Sequence, residues 1–236
     1  MESRQVAGLG RDCFAFGGVV GSRAFVQELE ASNQVLLAKL GDIGAIAGEA
    51  VPQADVVRLL KIALVNEISV SELAAAWMPP TAELDVKIAL AQQAGDEARH
   101  FKLIEKRLEA LGVSLAEFSL PGENPLFGYL KSLHTTVEKI AAGQFTLESI
   151  AFQVNQNFMK YCELSGDSET VKIYQQFIQP DELFHHQLGK TLLEKYATTT
   201  ESQQRAREAA AKTLEIAARV RSAAARRIGT SCFPGC

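Results

Sequence analysis

The chain has 236 residues, 47% hydrophobic and 22% charged, with a formal net charge of −4, which is ordinary globular composition with length for one sizeable core. Cys13, Cys162, Cys232 and Cys236 are too few and too scattered for a disulfide framework, and no run of eighteen apolar residues is present to cross a membrane, so a reduced, cytoplasmic protein is expected. Residues 201–236 carry seven Lys and Arg against three Glu, a net +4 that leaves −8 on residues 1–200, so the acidic bias lies in the body of the chain.

Residues 1–21 are Gly-rich without a period and read as an arm; the short apolar run Phe14 to Val20 has no clear cleavage site after it, and no signal peptide is expected. Helical spacing of Phe25, Leu29, Leu36 and Leu40 predicts a first helix over 22–40, with Gly41 as its stop. A second helix over 54–78 sets Val56, Leu60, Ala63, Leu64, Val70, Ala74 and Met78 on one stripe, with Glu67 in the middle of it and Glu72 on the outer face. Pro79-Pro80-Thr81 ends this helix and caps the next, over 82–111. Residues 112–130 lack a clean period and read as a long connection, with a short helix after Pro125; about nineteen residues can span up to roughly 60 Å.

A second hairpin follows, with arms over 132–164 and 169–196 and a turn at Ser165-Gly166-Asp167. Glu148 is central in its first arm, and Pro180 inside the second arm predicts a bend just before Glu182. An Ala-rich basic helix over 200–228 closes the pattern, followed by a short Gly-Pro tail. The organisation is therefore an arm and helix over 1–53, a bundle over 54–197, and a basic helix and tail over 198–236 packed on the same domain.

Two stretches carry the chemistry. Asp96-Glu97-x-x-His100 and Asp181-Glu182-x-x-His185 repeat one order eighty-five residues apart, in a chain with four His and seven Asp. Three residues are almost one helical turn, so each motif aims a carboxylate and an imidazole at one volume, an arrangement suited to holding a metal. With a rise of about 1.5 Å per residue, residues equally far from a hairpin turn lie level. Glu67 and Glu97 stand twelve and sixteen residues from Pro79 to Thr81, and Glu148 and Glu182 stand seventeen and fifteen from Ser165 to Asp167. If the hairpins pack together, four Glu and two His converge. Four buried carboxylates demand a counter-charge, and two divalent ions with neutral imidazoles supply it. Oxygen and imidazole ligands suit iron or manganese.

The order Glu67, Glu97-x-x-His100, Glu148, Glu182-x-x-His185 resembles the ferritin-like di-iron carboxylate superfamily over about residues 54–197. Its Asp-Glu-x-x-His form looks most like the bacterial multicomponent monooxygenase and related oxygenase branch. The resemblance implies an all-α four-helix bundle with one long crossover, to which the chain's own pattern adds helices at both ends. It implies Glu97 and Glu182 as bridging ligands, Glu67 and Glu148 as terminal or bridging ones, one imidazole per metal, and Asp96 and Asp181 holding the ligand imidazoles from behind. The cofactor expected is two iron ions, with manganese or mixed iron–manganese as the alternative. The activity expected is O2 activation to hydroxylate, epoxidise or desaturate a small organic substrate, with an electron-donor protein as partner and a homodimer left open as the assembly. A ferroxidase or iron store, or a bundle with a structural metal pair, is the competing reading.

Gln144, Phe152, Asn155 and His186 fall on inward stripes and are candidate pocket residues, with ordinary core packing as the alternative for Phe152 and His186; Gln144, Asn155 and Tyr174 could line the site or be satisfied buried polar groups, the second being the favoured reading. Phe101, Phe145, Phe152, Phe158 and Phe184 are candidate apolar walls. Cys232 and Cys236 could form a redox pair or be incidental, and the Arg residues of the last helix could bind phosphate, a CoA thioester or RNA or be a solvated face.

Overall fold

The computed structural model describes residues 21–40, 53–116, 118–120, 122 and 124–235. The expected arm, the connection after Gly41, and Cys13 and Cys236, and with Cys236 the alternative of a Cys232–Cys236 redox pair, lie outside the described residues. Within them the chain is all-helical, with no strand and no helix long and apolar enough to cross a membrane.

The helices are α1 (Ser22–Leu40), α2 (Gln53–Trp77), α3 (Leu84–Ala110), α4 (Pro125–Lys131), α5 (136–164), α6 (168–196) and α7 (Thr200–Ile228). Their starts follow capping chemistry. Asn124 accepts from the amides of Leu126 and Phe127, with Pro125 at the first helical position. Thr135 and Glu138 form a capping box for α5, Asp167 accepts from Thr170 N at the head of α6, and Thr199 with Ser202 caps α7. Thr81 departs from its expected role: its hydroxyl donates to the Trp77 carbonyl at the end of α2, while the cap position of α3 is Glu83, without a side-chain bond.

α2 packs along α3, and α5 along α6, as two hairpins whose inner faces meet. α7 lies against α1, α4 and the early part of α5, and buries Ala206, Ala209, Ala210, Leu214, Ile216 and Ala217 in the same core. The apolar interior falls into two clusters. One holds Val70 to Trp77, Val86 to Leu90 and Leu192 to Leu193; the other holds Val56 to Leu64, Ile104, Leu108, Phe158, Tyr174 and Ile178. Along α2, α3 and α6 the stretch between the two clusters contains Glu67, Glu97, His100, Glu182 and His185.

α5 and α6 each contain wider π-helical turns, at Ala141–Leu147 and Tyr174–Ile178. In the first, the Glu148 amide donates to the Gly143 carbonyl, five residues back. In the second, the Gln179 amide donates to Tyr174. Pro180, which has no amide proton to give, lies two residues past the end of this second widened turn, so a register change stands beside the position of the expected bend. Glycine lets the first π turn fit. A Cβ on Gly189 would lie 2.7 Å from the Phe145 nitrogen, and one on Gly143 2.7 Å from the Trp77 ring.

Candidate metal centre

Four helices deliver six side chains to one point. Glu67 comes from α2, Glu97 and His100 from successive turns of α3, Glu148 from the residue after the first π turn, and Glu182 and His185 from α6 just past the second. All six are buried, with exposures of 4% or less. They form two overlapping sets, Glu67, Glu97, His100, Glu182 and Glu97, Glu148, Glu182, His185, in each of which one ligand atom per residue lies within 4.8 Å of the others. Two ligands on opposite sides of an ion, at about 2.1 Å each, would be roughly 4 Å apart, so each set can close on one ion. Glu97 and Glu182 belong to both sets and Glu67 and Glu148 to one each, the division expected of bridging and terminal carboxylates.

The imidazoles are held from behind, crosswise between the motifs. His100 Nδ1 faces the cluster, 3.2 Å from Glu97 Oε2 and 3.4 Å from Glu67 Oε2, while its Nε2 lies 2.9 Å from Oδ2 of Asp181. His185 Nδ1 faces Glu97 Oε1 at 3.3 Å and Glu148 Oε2 at 3.8 Å, and its Nε2 lies 3.2 Å from Asp96 Oδ2. With Nε2–H donating to the aspartate, a neutral ring turns its Nδ1 lone pair into the cluster.

The cluster has unmet polar demand. Glu97 Oε1 and His185 Nδ1 are buried, 3.3 Å apart, and neither makes a hydrogen bond. Two lone-pair acceptors at that distance suit a shared cation. Without one, protons carry the balance. Burial pushes the Glu67 carboxyl up to about 8 against the pull of His100, and burial with the charges of Glu148, Glu97 and Glu67 drives Glu182 well above the carboxylate range. Burial also pushes Glu97 up, but its hydrogen bond to His100 and the neighbouring His185 outweigh this and hold it low. Burial opposes charge on both imidazoles, yet Asp181, Glu67 and Glu97 push His100 up to about 12, and Glu148 and Glu97 push His185 to about 11.

Residues 66–224 match the family described as protein of unknown function DUF455, a stretch that begins one residue before Glu67 and contains all six cluster residues. The chain belongs to this family. No curated protein and no solved structure matches it.

Within this DUF455 chain, two residues beside the cluster, Gln93 and Arg99, escaped the motif reading, and a third, Tyr174, departs from it. Gln93 donates its amide to Glu148 Oε1; it lies one helical turn before Glu97 on the same buried face, a spacing that could have revealed it. Arg99 reaches Asp181 and lies 3.3 Å from Asp96, spanning the two aspartates from the solvent side. The Tyr174 hydroxyl is fully buried and has no hydrogen-bond partner, contrary to its reading as a satisfied polar group; burial and the charges of Glu67 and Glu182 hold its phenol well above 10.

The expected pocket residues lie elsewhere. A cavity of about 10 Å³ touches Glu67, Glu97, Glu148 and Glu182, and its remaining walls are Asn66, Val70, Ala151 and Gly235. Gln144 sits in the π turn, where every residue is buried, and both its amide atoms lack partners. Phe152 is half-buried on α5, its carbonyl accepting from Gln179. His186 turns away to stack on Phe145, with Nδ1 2.7 Å from the Phe145 carbonyl and Nε2 3.6 Å from Glu30 of α1. Asn155 is on the cluster's face but accepts from Gly235 N. None of the five candidate wall phenylalanines lines this cavity: Phe145 and Phe158 are divided between the two core clusters, and Phe184 is 45% exposed. Of the stripe candidates, Gln144 and Phe145 lie inside the first widened turn, where the 3.6-residue register does not hold.

Proposed function

We propose that this protein is a ferritin-like di-metal carboxylate oxidoreductase that binds two iron ions and uses O2 to oxidise a small organic substrate, with electrons from a donor protein. The observation that carries the reading is the pair of ligand sets sharing Glu97 and Glu182, each with one imidazole backed by an aspartate. Four carboxylates and two neutral imidazoles would leave a di-cation pair balanced, and this oxygen-rich set suits iron, with manganese the nearest alternative. When bound, the metal pair would supply the reduction of O2 and the oxidising power.

The chain's own residues would do the rest. Asp96 and Asp181 keep the Nε2 protons and so fix which nitrogen faces the metals. Glu67 and Glu182, which hold protons in the metal-free cluster, give them up on loading. Arg99 bridges the aspartates on the solvent side, and the two apolar clusters keep bulk water away.

The deciding experiment reduces iron-loaded protein without oxygen and mixes it rapidly with O2. A transient visible absorption that decays faster with an organic substrate, without growth of an iron mineral, supports oxidation. Mineral growth makes the protein an iron store, and absence of any O2 reaction leaves the metals a structural role; either outcome overturns the proposal.

A further inference from the structure

The segment after α7 does not trail into solvent: Cys232 and Phe233 are 1% and 4% exposed, and Pro234 and Gly235 are buried as well. Gly235 is a wall of the cavity that touches all four glutamates. Three side chains hold the segment by its backbone. Arg221 donates to the carbonyls of Gly235 and Phe233 at 2.8 Å and of Ser231 at 3.3 Å, and its guanidinium lies 4.0 Å from the Phe233 ring centre. Asn66 Nδ2 donates to the Pro234 carbonyl at 3.3 Å, and Asn155 Oδ1 accepts from Gly235 N at 2.9 Å.

We propose that residues 230–235 are a gate over the four-glutamate cavity: seated, they leave room for a water-sized ligand, and an organic molecule reaches the glutamates only when they lift. The role of the cavity as a reaction site rests on the function proposed above; the existence of the gate does not.

Size makes the first half of the argument. A cavity of about 10 Å³ accepts about one water. Construction makes the second half. The glutamates sit on long helices locked between two apolar clusters, whereas the segment adds only Cys232 and Phe233 to one of them and is otherwise held by side-chain-to-backbone hydrogen bonds that water can replace on opening. Its fit over the cavity needs glycine. Gly235 has φ +73°, and a Cβ there would meet Asn66 Nδ2 at 2.7 Å. Asn155 Nδ2, on the same amide whose oxygen accepts from Gly235 N, is buried without an acceptor.

Two measurements test the gate, using full-length protein and two variants: Arg221→Gln, and a chain stopped after Gly229. The first needs no metal. Cys232 and Cys162 are both buried, but Cys162 lies in α5, so alkylation by iodoacetamide, read peptide by peptide by mass spectrometry and normalised to the unfolded chain, compares gate opening with global unfolding. Cys232 should react at least tenfold faster than Cys162 in the wild type, and faster again in Arg221→Gln. Equal protection of the two thiols in the wild type overturns the gate. The second loads cobalt(II) and follows its extraction by EDTA. Extraction should be at least tenfold faster in any variant that retains its helical circular dichroism, and an unchanged rate overturns the gate. Should the wild type take up no cobalt(II), the metal reading fails and the alkylation comparison alone decides. Should neither variant fold, the wild-type alkylation decides.

Discussion

Asp181 Oδ2 lies 2.9 Å from His100 Nε2, joining the second motif to the imidazole of the first, and Asp96 makes the reciprocal contact with His185 at 3.2 Å. Each motif therefore supplies the support for the other's ligand, and neither hairpin completes its half of the centre alone. Asp181→Asn should weaken the ion held by Glu67, Glu97, His100 and Glu182 by about 10- to 100-fold, and Asp96→Asn should do the same to the other. Titration with cobalt(II), resolved into two sites, checks this. Two unchanged affinities in both variants would show that the aspartates do not orient the rings.

Arg99 spans the same two aspartates, and half of its side chain is in water. An exposed pair of this kind contributes little to folding, so Arg99→Gln should change stability by less than about 1 kcal/mol. Its effect should appear at the metals, because both supporting carboxylates lose a common anchor. Affinity should drop at both sites together, by less than either Asp→Asn change produces. Denaturant unfolding of the metal-free variant beside a metal titration separates the two; a loss confined to stability would make Arg99 a surface ion pair and nothing more.

The convergence of four Glu and two His was legible because a helix puts Glu and His three apart on one face, and hairpin arms of similar length put the two halves level. Helices 22–40 and 200–228 were legible from their apolar spacing, the second ending at Gly229 in the left-handed conformation. The pocket was not legible. Gln144 was placed by a 3.6-residue period that the turn at Ala141–Leu147 interrupts, and His186 follows the period but turns to Phe145 and Glu30. Nor does any spacing tell that Asp181 serves His100 instead of its own motif's His185, or that Gly235 walls the cavity; both depend on contacts between residues eighty or more positions apart.

Gly189 tests how far the centre depends on the π turn. Its Cα faces the backbone of Gln144 and Phe145, and a methyl group there would overlap Phe145 N at 2.7 Å. The obstacle is backbone, so α5 and α6 must separate. Gly189→Ala should destabilise the protein by about 1–3 kcal/mol and loosen Glu148 against Glu182 and His185. A thermal midpoint and metal content equal to the wild type would show that the close approach is dispensable.

Metal-free protein should lose stability as pH rises. His100 and His185 are raised from 6.5 to about 12 and 11, and Glu67 from 4.5 to about 8. Over these windows the folded state holds more protons than the unfolded chain, so unfolding free energy falls with increasing pH. The contribution of the imidazoles is complete below pH 6.5 and disappears as pH climbs through their folded values. Metal loading should cancel the trend, since ligation requires both Nδ1 atoms and the carboxylates unprotonated, and binding should release protons. Calorimetry of EDTA-treated and loaded protein from pH 6.5 to about 10 checks the sign. A metal-free midpoint that rises over that range would contradict a protonated cluster.

The two kinds of glutamate should differ in what their loss removes. Glu97 and Glu182 each belong to both ligand sets, while Glu67 and Glu148 belong to one. Alanine at a shared position takes a ligand from both ions and leaves two sets of three around an enlarged buried space, so elemental analysis of protein grown in iron-replete medium should drop from about two metals per chain to near none. Alanine at Glu148 leaves Glu67, Glu97, His100 and Glu182 whole, so about one metal should remain, and the converse should hold for Glu67. Glu148→Ala should also strand the Gln93 amide that donates to it, a cost of about 1–3 kcal/mol absent from Glu67→Ala. The comparison separates a shared centre from two independent sites. Equal loss at all four positions would mean the ions do not share Glu97 and Glu182, and full metal content in Glu97→Ala and Glu182→Ala together would remove the metal assignment itself.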